Sequence, residues 1–149
     1  MSAPDSLHAS LIAQRIDGRW RGVLLRGPSG AGKSSLALRA ASLGFRLVAD
    51  DRVIVWRSGG GVFGRAPDAL RGLVEVRGVG VVGAPACTAI AGIALIADLV
   101  SDGTLIERLP DPEQVLIAGV ALPLVRIVAE SAAAPHALAA AFAALRHPL

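Results

Sequence analysis

The octapeptide Gly27-Pro28-Ser29-Gly30-Ala31-Gly32-Lys33-Ser34 constrains this chain more than any other stretch. It matches G-x-x-x-x-G-K-[ST] at every fixed position, between an apolar run at residues 22–26 and a helix-forming run at 34–43 that Gly44 stops. A strand feeding a glycine-rich loop and then a helix is the context this motif needs. Glycines let successive backbone N–H groups converge on phosphate oxygens, and the helix adds its positive N-terminal end. Lys33, the only lysine in the chain, is expected to reach the β- and γ-phosphates of a nucleotide, and the Ser34 hydroxyl to ligate Mg²⁺. A glycine- and serine-rich turn that fits by chance is the alternative, and both flanking elements argue against it.

The motif does not choose among ATPase, GTPase and kinase. A GTPase needs an N/T-K-x-D segment, and no second lysine exists to build one. At 149 residues the chain is also smaller than an AAA-type or transport ATPase, and it is expected to form one domain over residues 1–149. Its 53% hydrophobic and 18% charged composition excludes a disordered chain. No apolar run reaches the roughly 18 residues of a membrane span, and residues 89–100 read as a buried strand. The N-terminal residues lack the basic and apolar regions of an export signal, so a cytoplasmic setting and no membrane are expected. The single Cys87 fits a reducing compartment and reads as a small buried residue. The net charge is only +3, with arginines scattered rather than clustered, so no nucleic-acid partner is expected.

Periodicity predicts an α/β fold with a mixed β-sheet and few helices. Apolar segments at 7–15 and 22–26 flank the turn-like Asp17-Gly18, as in a hairpin. Strands are predicted at 45–49, 53–56, 62–64, 79–82, 90–96, 105–109 and 115–120, with a turn at 58–61. The alanine-rich end, 131–145, reads as a helix with Pro135 in its first turn.

Asp50 and Asp51 end the strand at 45–49, seventeen and eighteen residues beyond Lys33. Adjacent strand residues point to opposite faces, so the two are expected to differ in role. One near the γ-phosphate could take a proton from an attacking hydroxyl while the other is held by a partner or lies near the metal. A solvated turn is the competing reading.

Three motifs in one order resemble the catalytic domain of bacterial HPr kinase/phosphorylase. They are the phosphate loop, Leu47-Val48-Ala49-Asp50-Asp51, and Leu73-Val74-Glu75-Val76-Arg77-Gly78-Val79-Gly80. The resemblance covers about residues 7–123 and implies a P-loop kinase fold of the HPr kinase / PEP carboxykinase-like type. It further implies that Lys33 contacts the transferring phosphate, that Ser34 and Glu75 hold Mg²⁺, and that Asp51 deprotonates the acceptor serine. His8 matches a family histidine that supports the aspartate pair, Arg108 matches a later catalytic arginine, and Arg77 supports loop geometry. Read alone, His8 is a strand-end histidine, Glu75 and Arg77 form a solvated strand face, and Arg108 is a partner of Glu107 or Asp111.

Departures accompany the match. The chain begins almost at the catalytic core, as in a short proteobacterial form. Residues 17–20 lengthen the turn after His8, and Ser35 replaces a common acidic residue. Residues 122–126 lack the arginine- and glycine-containing loop associated with dephosphorylation, so the phosphorylase direction stays open. The resulting expectation is an ATP- and Mg²⁺-dependent serine kinase acting on HPr or its nitrogen-system counterpart, self-associating as a homo-oligomer in the family's hexameric habit. A kinase of a small hydroxylated metabolite, an ATP sensor acting by partner contact and a structural domain with an idle loop are the other three readings.

Overall fold

The computed structural model describes residues 4–145, apart from the side chain of Leu105; the first three residues of the segment read for export signals lie outside it. A short β1 (Asp5–Leu7) leads into β2 (Ala9–Ile16), and β3 (Arg19–Arg26) returns antiparallel to it. The predicted hairpin turn is tight, with φ 51° at Asp17 and 78° at Gly18, the pair of positive values that a two-residue loop between twisted strands requires. Past the glycine loop, α1 (Lys33–Ala40) tightens into a 3-10 turn over Ala41–Leu43 and stops at Gly44, which adopts φ 90°.

Then follow β4 (Arg46–Ala49), the β5 (Val53–Ser58) and β6 (Gly61–Arg65) hairpin, β7 (Leu73–Val76), β8 (Gly80–Gly83) and the long β9 (Ile90–Val100). A second hairpin, β10 (Glu113–Ile117) and β11 (Val120–Val128), precedes α2 (Ala134–Ala144), where Pro135 sits in the first turn as predicted. Nine strands form one mixed sheet in the order β1-β5-β6-β9-β3-β2-β4, with β11 also on β9 and β10 on β11, while β7 and β8 form a separate ladder. Strand β9 is the hub. It runs parallel to β3 and to β11, and its first residues pair antiparallel with β6.

Two irregularities decide which side chains face which layer. Between Gly22↔Ile93 and Val23↔Leu95 the register skips Ala94. A bulge of this kind reverses the inward and outward alternation. Ala91 and Ile93 therefore join the core enclosed by the curled sheet, with Leu11, Leu24 and Val53, whereas Leu95, Ala97 and Leu99 join the core under α1 and α2 with Leu36, Phe45 and Leu138. A matching skip at Val48 sends Leu47 to the helical side and Ala49 to the enclosed side. The parallel ends of β3, β9 and β11 are thus packed on both faces and form a rigid base for the glycine loop.

Three expectations need correction. Residues 105–109 are not a strand: a 3-10 turn covers Gly103–Leu105, the Asp102 carboxylate accepts from Thr104 N–H at 2.9 Å, and the chain then runs irregularly to Pro110 and Pro112, which lack the donors a ladder needs. Residues 115–120 contain the turn between β10 and β11, with φ 50° at Ala118 and 80° at Gly119. Residues 122–126, read from sequence only for the loop they lack, lie inside β11, where Pro123 is accommodated just before pairing with β9 begins at Leu124. Cys87 is exposed, because its segment touches β4 through one bridge to Leu47 at the sheet margin instead of entering the core.

Leu11, fully buried, is wedged between two glycines. A Cβ at Gly22 would lie 2.8 Å from Leu11 Cδ1 and 3.1 Å from the Ile12 carbonyl, and one at Gly64 would lie 2.6 Å from Leu11 Cδ2. Because Leu11 cannot swing away from one glycine without meeting the other, Gly64→Ala should cost about 1–3 kcal/mol of unfolding free energy in urea titrations. Leu11→Val in the same chain should recover part of that loss; strictly additive losses would refute the wedge.

Candidate active site

The glycine loop leaves β3 directly after Arg26, whose guanidinium makes two bonds to Asp98 on β9, 2.7 Å from Nε and 3.0 Å from Nη2. This paired, half-buried contact fixes the point where the loop begins. Asp98 is also in register with Arg126 on β11. Arg126 in turn binds Glu113 on β10 and so holds that carboxyl below its ordinary range. Loop and base also meet closely: a Cβ at Gly27 would lie 3.5 Å from Leu99 Cβ on β9, besides 2.9 Å from Ala31 Cβ within the loop, and one at Gly32 would lie 3.3 Å from Ala129 Cβ. Gly30 and Gly32 carry φ 84° and 97°, values that side-chain-bearing residues rarely adopt.

Lys33 opens α1 and is nearly buried, with 5% of its surface exposed. Its Nζ donates to the Gly27 carbonyl at 2.8 Å and the Pro28 carbonyl at 3.1 Å, folding the side chain across the loop. An ammonium has three donors, so one is left for an anion. The helix starts at Gly32 with no side-chain cap and no acidic residue in its first turn, and Pro28, Ser29 and Gly30 are exposed. Its first amide groups and its positive end therefore face the loop without an internal anion. Arg39 anchors the far end of α1, donating to the Ser131 carbonyl at 3.1 Å and to the Ala129 carbonyl.

Asp50 is the buried centre of the site. Only 6% exposed, its carboxylate accepts from Ser10 Oγ at 2.8 Å, from Ser34 Oγ at 2.8 Å to each oxygen, and from Glu75 N–H at 3.0 Å. Asp51, one residue later, is 62% exposed at its side chain and pairs with His8 Nε2 at 2.6 Å. Facing an acceptor-only carboxylate, that ring nitrogen is the donor. The Asp51 backbone has φ 65°, its N–H donates to Ser10 Oγ at 3.1 Å, and Arg52 N–H reaches the Asp50 carbonyl at 2.8 Å. A bond spanning two residues around a positive φ is the rare, strained form of the γ-turn. Strain of this kind persists only where surroundings enforce it, and it concentrates at functional sites.

The structure brings together Lys33, Ser34, Asp50, Asp51 and His8, with Glu75 attached through its main chain. The Glu75 and Arg77 side chains are exposed. Arg108 is exposed in the irregular run before β10, and no hydrogen bond or ion pair joins it to these residues or to Glu107 or Asp111. The donor set suits Mg²⁺: Ser34 gives its one proton to Asp50, which frees its lone pairs for a hard cation, and the Glu75 carboxylate is unpaired. Among the described residues no group of three or more His, Cys, Asp or Glu could cage a metal. Ser10, Arg26, Asp98 and Arg39 escaped the sequence reading. Ser10 alone left a signal, as the one hydroxyl in the otherwise apolar residues 9–13, all of them buried.

The sequence pattern of the HPr Serine kinase C-terminal domain family matches residues 1–144. The HPr kinase/phosphorylase of Latilactobacillus sakei is 40% identical over 116 residues, which are 71% of this chain and 37% of that protein. The HPr kinase/phosphorylase of Leptothrix cholodnii is 46% identical over 99 residues, 60% of this chain and 30% of its own length. The chain thus spans about a third of the length of these relatives. Among solved structures, the Hpr(Ser) kinase/phosphatase from Coxiella burnetii superposes with a TM-score of 0.80, covering 95% of this chain and 90% of its own at 23% identity, which shows a shared fold.

The saturation of Asp50 yields a stability test. Asp50→Asn would turn one acceptor oxygen into a donor facing two hydroxyls and an amide, so unfolding free energy should fall by about 1–3 kcal/mol in denaturant titrations. An unchanged midpoint and slope would show that the bonds to Ser10, Ser34 and Glu75 carry no weight.

Proposed function

The chain belongs to the HPr Serine kinase C-terminal domain family, and from that premise we propose that it transfers the γ-phosphoryl group of ATP to a serine hydroxyl of the phosphocarrier HPr or its nitrogen-system counterpart. The observation that carries this reading is the contrast between two neighbouring carboxylates. Asp50 has its oxygens filled by donors, whereas Asp51 is exposed, holds one ring nitrogen and stands in a strained turn beside the loop. A carboxylate with a free oxygen can accept a proton.

The loop amides, the helix end and the third donor of Lys33 bind and orient the triphosphate. Ser34 and Glu75 would hold Mg²⁺, which would supply charge neutralisation to the phosphates. The serine oxygen of the carrier forms a bond to the γ-phosphorus as the bond to the bridging oxygen breaks, and ADP leaves. The serine proton passes to Asp51, with His8 occupying the other carboxylate oxygen and orienting it. Asp50 acts one step back, aiming Ser34 and the Glu75 segment. A catalytic part for Arg108 has only the family resemblance behind it. The setting is cytoplasmic, and self-association has apolar surface available at Val79 and Val81, 71% and 65% exposed on the β7–β8 hairpin.

Incubation with Mg²⁺-ATP and purified carriers, followed by mapping of the modified residue, tests the reading. A phosphoserine is expected on HPr or its counterpart. Asp51→Asn should lower the transfer rate on the order of 10²- to 10⁴-fold while keeping the thermal stabilisation by Mg²⁺-ATP. Lys33→Ala should lose both. Tight nucleotide binding with no phosphoprotein would favour an ATP sensor, and phosphorylation of a small metabolite alone would move the acceptor class.

A further inference from the structure

One polar side chain in this region has no role in binding nucleotide. Ser10 is 0% exposed, on β2 between Ala9 and Leu11, and both its bonds go to the aspartate pair. Its partners set the direction of each bond. The Asp50 carboxylate only accepts, so the Ser10 proton points there, and the lone pairs of the same oxygen face the Asp51 N–H. A single hydroxyl oxygen therefore spans both residues, 2.8 Å from Asp50 Oδ1 and 3.1 Å from Asp51 N.

We infer that Ser10 is a positioning residue that holds Asp51 in its strained turn, and so keeps the Asp51 carboxylate aimed at the acceptor hydroxyl. This rests on the reading of Asp51 as the base. The turn at Asp51 combines φ 65° with the short Arg52-to-Asp50 bond, a conformation that a side-chain-bearing residue leaves unless it is held. His8 grips the Asp51 side chain from an exposed position, where either group can rotate. Ser10 grips the main chain from a fully buried one. The neighbours on β2 are apolar and offer no substitute acceptor. Without the hydroxyl, the Asp51 N–H loses its partner and only the turn's own Arg52-to-Asp50 bond is left on that peptide, so the Asp51 carboxylate swings with it. Asp50 keeps Ser34 and the Glu75 amide, so the nucleotide loop stays built.

Ser10→Ala separates these consequences. Turnover on the carrier should fall on the order of 10- to 100-fold, the scale of a misplaced catalytic group, with the Mg²⁺-ATP dissociation constant unchanged. In an Asp51→Asn background the same change should add nothing, since Ser10 acts through Asp51. Hydrogen exchange adds a readout independent of catalysis: the Asp51 amide should be protected in the natural chain and exchange freely in Ser10→Ala. Should Ser10→Ala not fold, Ser10→Thr and Ser10→Val, alike in shape, give the same comparison, with protection and turnover kept by threonine and lost with valine. Equal protection and equal turnover with and without the hydroxyl would overturn the inference, as would a full additional loss in the Asp51→Asn background. A natural chain that phosphorylates no carrier would instead overturn the base reading, and the exchange result alone would then decide whether Ser10 holds the turn.

Discussion

A carboxylate buried away from water carries a desolvation penalty of several kcal/mol unless donors surround it. Asp50 meets that condition with donors from three separate parts of the chain: Ser10 on β2, Ser34 at the start of α1 and the main chain of Glu75 on β7. Each arrives from a different element, so satisfying one anion fixes three elements relative to the end of β4. The consequence is largest for β7 and β8. Their two-stranded ladder does not pair with the main sheet, yet the Glu75 amide ties it to the carboxylate that receives the loop serine. Phosphate loop and hairpin share one electrostatic reference point.

Asp50 and Asp51 show how neighbouring residues of one type acquire opposite properties from backbone alone. Strand β4 ends at Ala49, and the chain turns so sharply at Asp51 that the two carboxylates separate into a buried and an exposed environment. A continued strand would also have set them on opposite faces, but both would have stayed in the sheet. The turn lifts Asp51 out of it while its amide remains tied to Ser10. Strain in the backbone and saturation of the neighbour are two sides of one arrangement, because the donors that bury Asp50 also leave Asp51 with nothing but His8 on its carboxylate.

Much of this was legible in the sequence, for identifiable reasons. Local signals were strong where a single residue type does a job no other can: Asp17-Gly18 at the hairpin, Gly44 after the helix, the loop from Gly27 to Ser34. They failed where tertiary pairing overrode local pattern. Residues 105–109 are apolar enough for a strand, but the prolines beyond them remove the donors. The skip at Ala94 made β9 look like a uniform apolar run instead of two alternating segments with opposite facing. In the site, the loop and the aspartate pair were visible because their spacing is local. Arg26 with Asp98 and Arg39 with Ala129 and Ser131 were not, since partners seventy-two, ninety and ninety-two residues apart leave no mark on the spacing of either.

The glycines of the loop satisfy two requirements at once, and separating them shows how fold and site depend on each other. Gly30 and Gly32 need positive φ, which is the requirement of a backbone that turns its amides inward. Gly27 does not adopt a positive φ; it is excluded from having a side chain because Ala31 and Leu99 stand against it, 2.9 Å and 3.5 Å from where a Cβ would be. Gly32 meets both demands, with Ala129 of the segment after β11 closing in at 3.3 Å. That segment is gripped by Arg39 from the other end of the same helix. A larger residue at 129 would therefore press on the loop from outside while Arg39 held the helix in place, so the shape of the loop is set partly by a residue that is not in it.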